Sequence, residues 1–195
     1  MKKSNILACF LSLFLGVCVC RHDQVRHTDK RIANITPWIK TRVEFLKLMP
    51  KNGIVAEVGV NWGEFSDLIL LYTDPKHLYL IDIWENENQY NQVKDMFADN
   101  SRVTVIRIDS IKATKLFEDN SFDWVYIDAD HSYFAVKNDL NAWIKKIKPG
   151  GMLAGHDYVF LQSVVIAVNE FLLENNLNMT YLSTDFFSSF AVKKN

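Results

Sequence analysis

From Gly53 to the C-terminus the chain alternates short β-rich runs with longer amphipathic stretches, and this alternation narrows the possible folds more than any other feature. Strand-like runs fall at 54–60, 77–84, 103–109, 122–128 and 152–156. Helical patterns occupy 62–72, 89–98, 133–147 and 161–173, with a short helix through Leu116 and Phe117. In the 133–147 pattern, Tyr133, Val136, Leu140, Trp143, Ile144 and Ile147 share one stripe, and Pro149-Gly150-Gly151 is expected to stop the helix. Two closing runs at 179–183 and 188–193 are separated by a brief turn region and read as a hairpin. Strands alternating with crossover helices imply an α/β fold: a mostly parallel seven-stranded sheet, one antiparallel strand, and helices on both faces. With no repeat and no low-complexity linker, residues 38–195 read as one domain.

Charge and cysteine usage remove several classes of function. With 22 basic and 23 acidic residues the chain lacks the basic footprint of a nucleic-acid binder. Its only thiols are Cys9, Cys18 and Cys20, so the body from Arg21 onward has no disulfide framework, no cysteine zinc site and no cysteine nucleophile. The chemistry must come from carboxylates, histidines and bound cofactors. Lys2 and Lys3 precede an apolar run at 6–20 that ends at Arg21, the layout of a signal peptide or a short membrane anchor. A span would need roughly 20 residues. If the run did span, Arg21, Arg26, Lys30 and Arg31 would keep the body in the cytoplasm. Location therefore stays open between secreted, membrane-anchored through residues 6–20, and cytoplasmic. Residues 21–37 read as a lead-in. A helix bearing Trp38, Val43, Phe45 and Leu46 follows, able to cover a sheet edge and stopped near Pro50.

Ligands of open parallel sheets bind outside the carboxyl ends of the strands. After the first strand comes Glu57-Val58-Gly59-Val60-Asn61-Trp62-Gly63-Glu64-Phe65-Ser66. Gly59 and Gly63 permit a tight turn, and the helix behind them offers unpaired amides to a polar group. The G-x-G-x-x-G pattern is broken by Asn61 and Glu64, which disfavours a pyrophosphate cradle and hence a nicotinamide oxidoreductase. Asp82 ends the second strand 23 residues after Gly59, where a carboxylate can accept hydrogen bonds from ribose hydroxyls. Asp109-Ser110 ends the third strand where an adenine edge would be read, or where a helix would be capped.

These residues resemble the class I S-adenosylmethionine-dependent methyltransferases, whose Rossmann-like seven-stranded sheet ends in the same hairpin. Glu57, Gly59 and Gly63 match the family's first motif, E/D-x-G-x-x-x-G, and Asp82 matches its ribose-binding acid. The resemblance implies S-adenosylmethionine as cofactor, held by Glu57, Gly59, Asn61, Gly63, Ser66, Asp82, Asp109 and Ser110, with Glu57 positioning the methionine part.

A second constellation follows the fourth and fifth strands: Asp128-Ala129-Asp130-His131-Ser132-Tyr133 and Gly155-His156-Asp157-Tyr158. Carboxylates converging on one rim must shift their pKa values or recruit a cation, and hard oxygen ligands in a thiol-free site favour Mg²⁺, Ca²⁺ or Mn²⁺ over zinc. The group resembles bacterial small-molecule O-methyltransferases with a metal-type Asp pair. That implies Asp128 and Asp157 as metal ligands and Asp130 as a cofactor contact, although Tyr158 stands where the catechol-type enzymes carry a ligating asparagine, a ligand that His156 could replace. His131 and His156 are the candidate bases. The expected activity is methyl transfer to a hydroxyl of a small-molecule acceptor, with Trp62, Trp84, Tyr133, Tyr158 and Phe160 as candidate pocket aromatics. A non-catalytic binding protein on the same fold is the rival reading.

Overall fold

The computed structural model describes residues 39–195. The apolar run at 6–20, the lead-in and Trp38 lie outside the described residues. Among the described residues, no helix is long and apolar enough to cross a membrane.

The strands are β1 (Ile54–Val58), β2 (His77–Asp82), β3 (Val103–Arg107), β4 (Phe122–Ile127), β5 (Ile147–Gly155), β6 (Met179–Leu182) and β7 (Phe190–Lys193). They form one sheet in the order β3-β2-β1-β4-β5-β7-β6. β7 runs antiparallel to both its neighbours and the other pairs are parallel, as the alternation and closing hairpin imply. Val55, Ala56 and Val58 of β1 and Leu78, Leu80 and Ile81 of β2 are all buried. Consecutive apolar residues of this kind suit a strand covered on both faces.

Helix α1 (Arg42–Leu48) opens the described chain, and α2 (Glu64–Thr73) and α3 (Glu87–Met96) follow β1 and β2. Phe45 and Leu46 of α1, Phe65 and Ile69 of α2 and Val93 of α3 share a core with Leu78, Leu80, Trp124 and Tyr126. Thr41 caps α1 by accepting from the Glu44 amide, and Met49 turns extended before Pro50, which disfavours helical geometry in the residue ahead of it. The start of α1 is stitched to the loop between β6 and β7. Ile39 bridges Ser183, the Thr184 amide donates to the Ile39 carbonyl at 2.7 Å, and the Arg42 amide donates to Asp185 Oδ2 at 2.9 Å. After β3 come the single turn α4 (Ser110–Ala113), then α5 (Tyr133–Lys146) and α6 (Gln162–Glu174). Trp143 of α5 packs edge-on against Phe122 with ring centres 5.9 Å apart.

The boundary that differs most from expectation is the start of β5. Pro149-Gly150-Gly151 does not stop α5, which already ends at Lys146, where Ile147 turns extended and pairs with Phe122. The Pro-Gly-Gly segment lies inside β5 as an irregularity between the pairs Phe122–Ile147 and Trp124–Met152. Its main chain is tied to the C-terminal strand, Gly150 donating to the Lys194 carbonyl and the Lys194 amide to Gly151, both at 2.9 Å. Proline at a bulge gives up no ladder hydrogen bond, which is why a strand tolerates it there.

The order of strands reverses between β1 and β4, and their carboxyl ends lie in contact. Gly59 has φ +88°, and a Cβ built on it would sit 2.1 Å from the Asp128 carbonyl oxygen. Gly150 also has positive φ, +80°, but nothing lies within 4 Å of a Cβ there. Gly59→Ala therefore should lose several kcal/mol in chemical denaturation, since backbone must move. Gly150→Ala should lose only about 1 kcal/mol, the strain of φ alone. Equal losses at the two positions would show that the β1–β4 approach is looser than described.

Candidate active site

The turn after β1 is held from below by Asp82. Its Oδ2 accepts from the amides of Val60 at 2.7 Å and Asn61 at 2.9 Å, and its Oδ1 from the amide of Trp84 at 2.8 Å. A carboxylate has about four acceptor directions, so roughly one remains, on Oδ1, for a ligand hydroxyl. Asp82 is thus both the organiser of two turns and a candidate ribose contact. Asn61 sits in the left-handed region at φ +55°, and its carbonyl accepts from the indole of the buried Trp84 at 2.8 Å. Gly63 forms the N-cap of α2.

Glu57 lines the hollow above this turn yet is almost wholly buried. Burial pushes its carboxyl up to about 8, against the opposing effects of the Ser66 hydroxyl, which donates to Oε2 at 2.5 Å, and of the Arg42 charge. Ser66 is a correction to the expected cofactor contacts. It is fully buried behind Glu57 and does not line the hollow, because its position in the first turns of α2 faces the core.

At the far end of the hollow, Asp109 caps α4 by accepting from the Lys112 amide at 2.9 Å, and it also faces the cavity. Ser110 donates to Asp139 Oδ1 at 2.5 Å while accepting from the Trp143 indole at 2.9 Å. Asp139, absent from the sequence expectations, is buried. Burial first, then the charges of Asp109 and Asp130 push its carboxyl up to about 6, against the Ser110 hydrogen bond. Its signal was present: a carboxyl on the inward stripe of α5, between Val136 and Trp143.

In the second constellation Asp128, His131, His156 and Asp157 converge, while Asp130 stands apart from them. Arg42 Nη2 lies 2.8 Å from Asp128 Oδ2, and His156 Nδ1 lies 3.3 Å from the same oxygen. His131 Nε2 is 2.9 Å from Asp157 Oδ2 and 3.3 Å from Asp128 Oδ1. Burial works against the Asp128 charge, but the hydrogen bonds from His131 and His156 and the charge of Arg42 prevail and hold the carboxyl far below the usual range. The Asp128 hydrogen bond in turn raises His131. Asp130 is exposed, and its Oδ1 accepts from the Ser132 amide at 2.7 Å ahead of α5. Arg42 escaped the sequence reading altogether. It stands on α1, 86 residues from Asp128, with no motif around it.

Together these groups border a cavity of about 840 Å³ at the carboxyl ends of β1, β2 and β4, within the range of small-molecule sites. Eight acidic side chains line it: Glu57, Glu64, Asp82, Glu85, Asp109, Asp128, Asp130 and Asp139. Among the described residues the only basic side chains on its wall are Arg42 and His131. Such a wall attracts a ligand carrying positive charge and repels a pyrophosphate. His156 and Asp157 sit beside the cavity rather than on its wall. Of the expected aromatics, Trp62 and Trp84 line it. Tyr158 is buried, its hydroxyl donating to Asn169 at 2.7 Å, and the Tyr133 hydroxyl donates to Glu170.

The donor set fits Mg²⁺ poorly. Asp128, His131 and Asp157 each place a possible ligand atom within 4.8 Å of the others, and Asp157 Oδ1 is buried without a hydrogen bond. Mg²⁺, however, demands octahedral oxygen coordination. Here an imidazole nitrogen stands between the two carboxylates, a guanidinium occupies Asp128, and Tyr158 turns away from the cluster.

Asp139 yields a pH prediction. A carboxyl raised in the folded state makes that state bind its proton more tightly than the unfolded chain does. Stability is then lost as pH climbs from about 4 to about 6, by up to about 3 kcal/mol. Asp139→Asn, which still accepts from Ser110, should exceed the wild type in denaturant midpoint at pH 8 and match it near pH 4. A difference independent of pH would refute the assignment.

Comparison with curated proteins gives no match. The N-methyltransferase NodS of Bradyrhizobium japonicum shares the fold at TM-score 0.59 and 16% identity, over 78% of this chain and 92% of that one. A precorrin-6y C5,15-methyltransferase of Geobacter metallireducens gives TM-score 0.62 at 10% identity, over 78% and 85%. A spermidine synthase of Thermotoga maritima gives 0.57 at 15%, over 77% and 56%. At such identities the likeness shows a common fold, one that serves several reactions. A family model described as a methyltransferase domain matches residues 56–158, the segment carrying Glu57, the glycine turn, Asp82 and both acid–histidine runs. The chain belongs to that methyltransferase-domain family.

Proposed function

We propose that the protein transfers a methyl group from S-adenosylmethionine to a hydroxyl of a small-molecule acceptor. The observation that carries the reading is the acidic cavity at the strand-order reversal. The donor brings a sulfonium and an ammonium, and a wall with eight acidic side chains and one arginine favours both cations. Adenosine would lie between Asp82 and the Asp109–Ser110 end, and the methionine part beside Glu57, with Arg42 the one guanidinium near its carboxylate. The same wall disfavours a nicotinamide dinucleotide.

In the transfer, an acceptor oxygen attacks the methyl carbon in line with sulfur. A carbon–oxygen bond forms as the carbon–sulfur bond breaks, and its electron pair stays on sulfur as a neutral thioether. The acceptor proton passes to His131. With Nε2 engaged by Asp157 and Asp128, the Nδ1 atom is left as the proton acceptor. The paired carboxylates then stabilise the imidazolium that results. His156 packs near Phe187 at 6.0 Å, and Phe187 packs with the exposed Phe160 and Phe186. This aromatic group borders the acid–histidine cluster and would receive the apolar body of the acceptor.

Calorimetry with the purified chain tests the donor. S-adenosylmethionine should bind and a nicotinamide dinucleotide should not. At pH 7 donor binding should release protons, because a cation beside Glu57 lowers a carboxyl that stands at about 8 without one. The apparent enthalpy should then change between buffers of different ionisation enthalpy, and the change should vanish in Glu57→Gln. Absence of donor binding would end the reading. His131→Gln should lower methyl transfer roughly a hundredfold or more while leaving donor affinity nearly unchanged. Full turnover in that variant would remove His131 as the base.

A further inference from the structure

We infer that Arg42 fills the cation position of the Asp128–Asp157 pair, so that the positive charge a divalent metal would bring is built into the fold. Two carboxylates brought to neighbouring strand ends require compensation. Arg42 supplies it from α1, with Nη2 2.8 Å from Asp128 Oδ2. The guanidinium is fixed on two further sides, and the residue's main chain is held as well. Its Nε donates to the Tyr126 hydroxyl at 3.0 Å, its Cζ lies 3.5 Å from the centre of the Phe65 ring, and the residue's own amide donates to Asp185. Tyr126 is itself buried and bonded to Ser189 at 2.8 Å, so the arm has little room to swing aside.

The place between the two carboxylates, where a bridging ion would sit, is taken by the Nε2 edge of His131, 2.9 Å from Asp157 Oδ2 and 3.3 Å from Asp128 Oδ1. The remaining oxygen ligand of a hard ion is missing, because Tyr158 packs against Phe190 and bonds Asn169. Even Asp157 Oδ1, which lacks a hydrogen bond, lies 3.6 Å from His156 Nδ1, so a small ring movement serves it. A dication entering this cluster would meet a guanidinium already bound to its first ligand, and like charges at such distances repel strongly. Arg42 is therefore a positioning residue. It holds Asp128, and through Asp128 the two histidines, without the metal that the Asp pair would otherwise recruit.

The test reads cation affinity, separately from turnover. Mn²⁺ is titrated into the full chain by electron paramagnetic resonance and Mg²⁺ by calorimetry, for wild type, Arg42→Lys, Arg42→Met, and Arg42→Met combined with Asp128→Asn. Thermal melts verify that each is folded. Wild type and Arg42→Lys should bind both ions weakly and alike. Arg42→Met should bind Mn²⁺ at least about tenfold more tightly, because the competing charge is gone, and the double variant should lose that gain. Should Arg42→Met not fold, Arg42→Gln carries the same comparison. Tight binding of either ion by the wild type, or a folded Arg42→Met with no gain, overturns the assignment. Donor affinity measured on the same samples keeps the two readings apart. A wild type that ignores S-adenosylmethionine defeats the methyl-transfer reading while the cation result stands by itself.

Discussion

The main chains of β1 and β4 leave the sheet so close together that only a hydrogen fits between Gly59 and the carbonyl of Asp128. Everything in the site follows from that approach. The Asp128 amide donates to Val58 and the Gly59 amide to Ile81, so the exits of three adjacent strands are joined by main-chain bonds before any side chain acts. Asp82 then ties the Val60 and Asn61 amides to its own turn. The hollow is a product of backbone geometry at the point where strand order reverses. The side chains on its rim are carried there by a scaffold with little freedom to place them elsewhere.

On that scaffold the chain gathers far more negative than positive groups, and the excess is managed in two ways. Within the hollow, burial raises the Asp139 carboxyl to about 6 and that of Glu57 to about 8, so Glu57 keeps its proton at neutral pH and is poised to ionise when a cationic ligand arrives. At the rim the opposite holds: Asp128 stays ionised because Arg42 and two imidazoles surround it. One arginine therefore separates a region that attracts a positive ligand from one whose charge is already balanced. It does so from α1, whose start is tethered to the same loop that carries Phe186 and Phe187. The donor side, the acid–histidine cluster and the aromatic surface thus share one mechanical joint.

Much of this was legible in the sequence because periodicity and strand-end position are local properties. The seven strands, the hairpin and the meeting of Asp128, His131, His156 and Asp157 all follow from where each run stops. Local reading failed where the deciding contact was distant or hidden. Pro149-Gly150-Gly151 looks like a helix stop, yet the pairing of Ile147 with Phe122 ends α5 first. Ser66 belongs to the motif, but its helical position turns it into the core behind Glu57. Arg42 reaches Asp128 only through the packing of α1, which no spacing encodes. Asp139 was readable as a polar interruption of an apolar stripe and needed only to be asked about its partner.

A crystal structure of the chain with S-adenosylmethionine bound is the most direct test of the central claim, that this one hollow is the donor site. The account predicts the ribose against Asp82, the adenine toward Asp109 and Ser110, and the sulfonium between Glu57 and the Asp128–His131 rim. Donor density anywhere else, or a hollow filled by rearranged side chains, would contradict it.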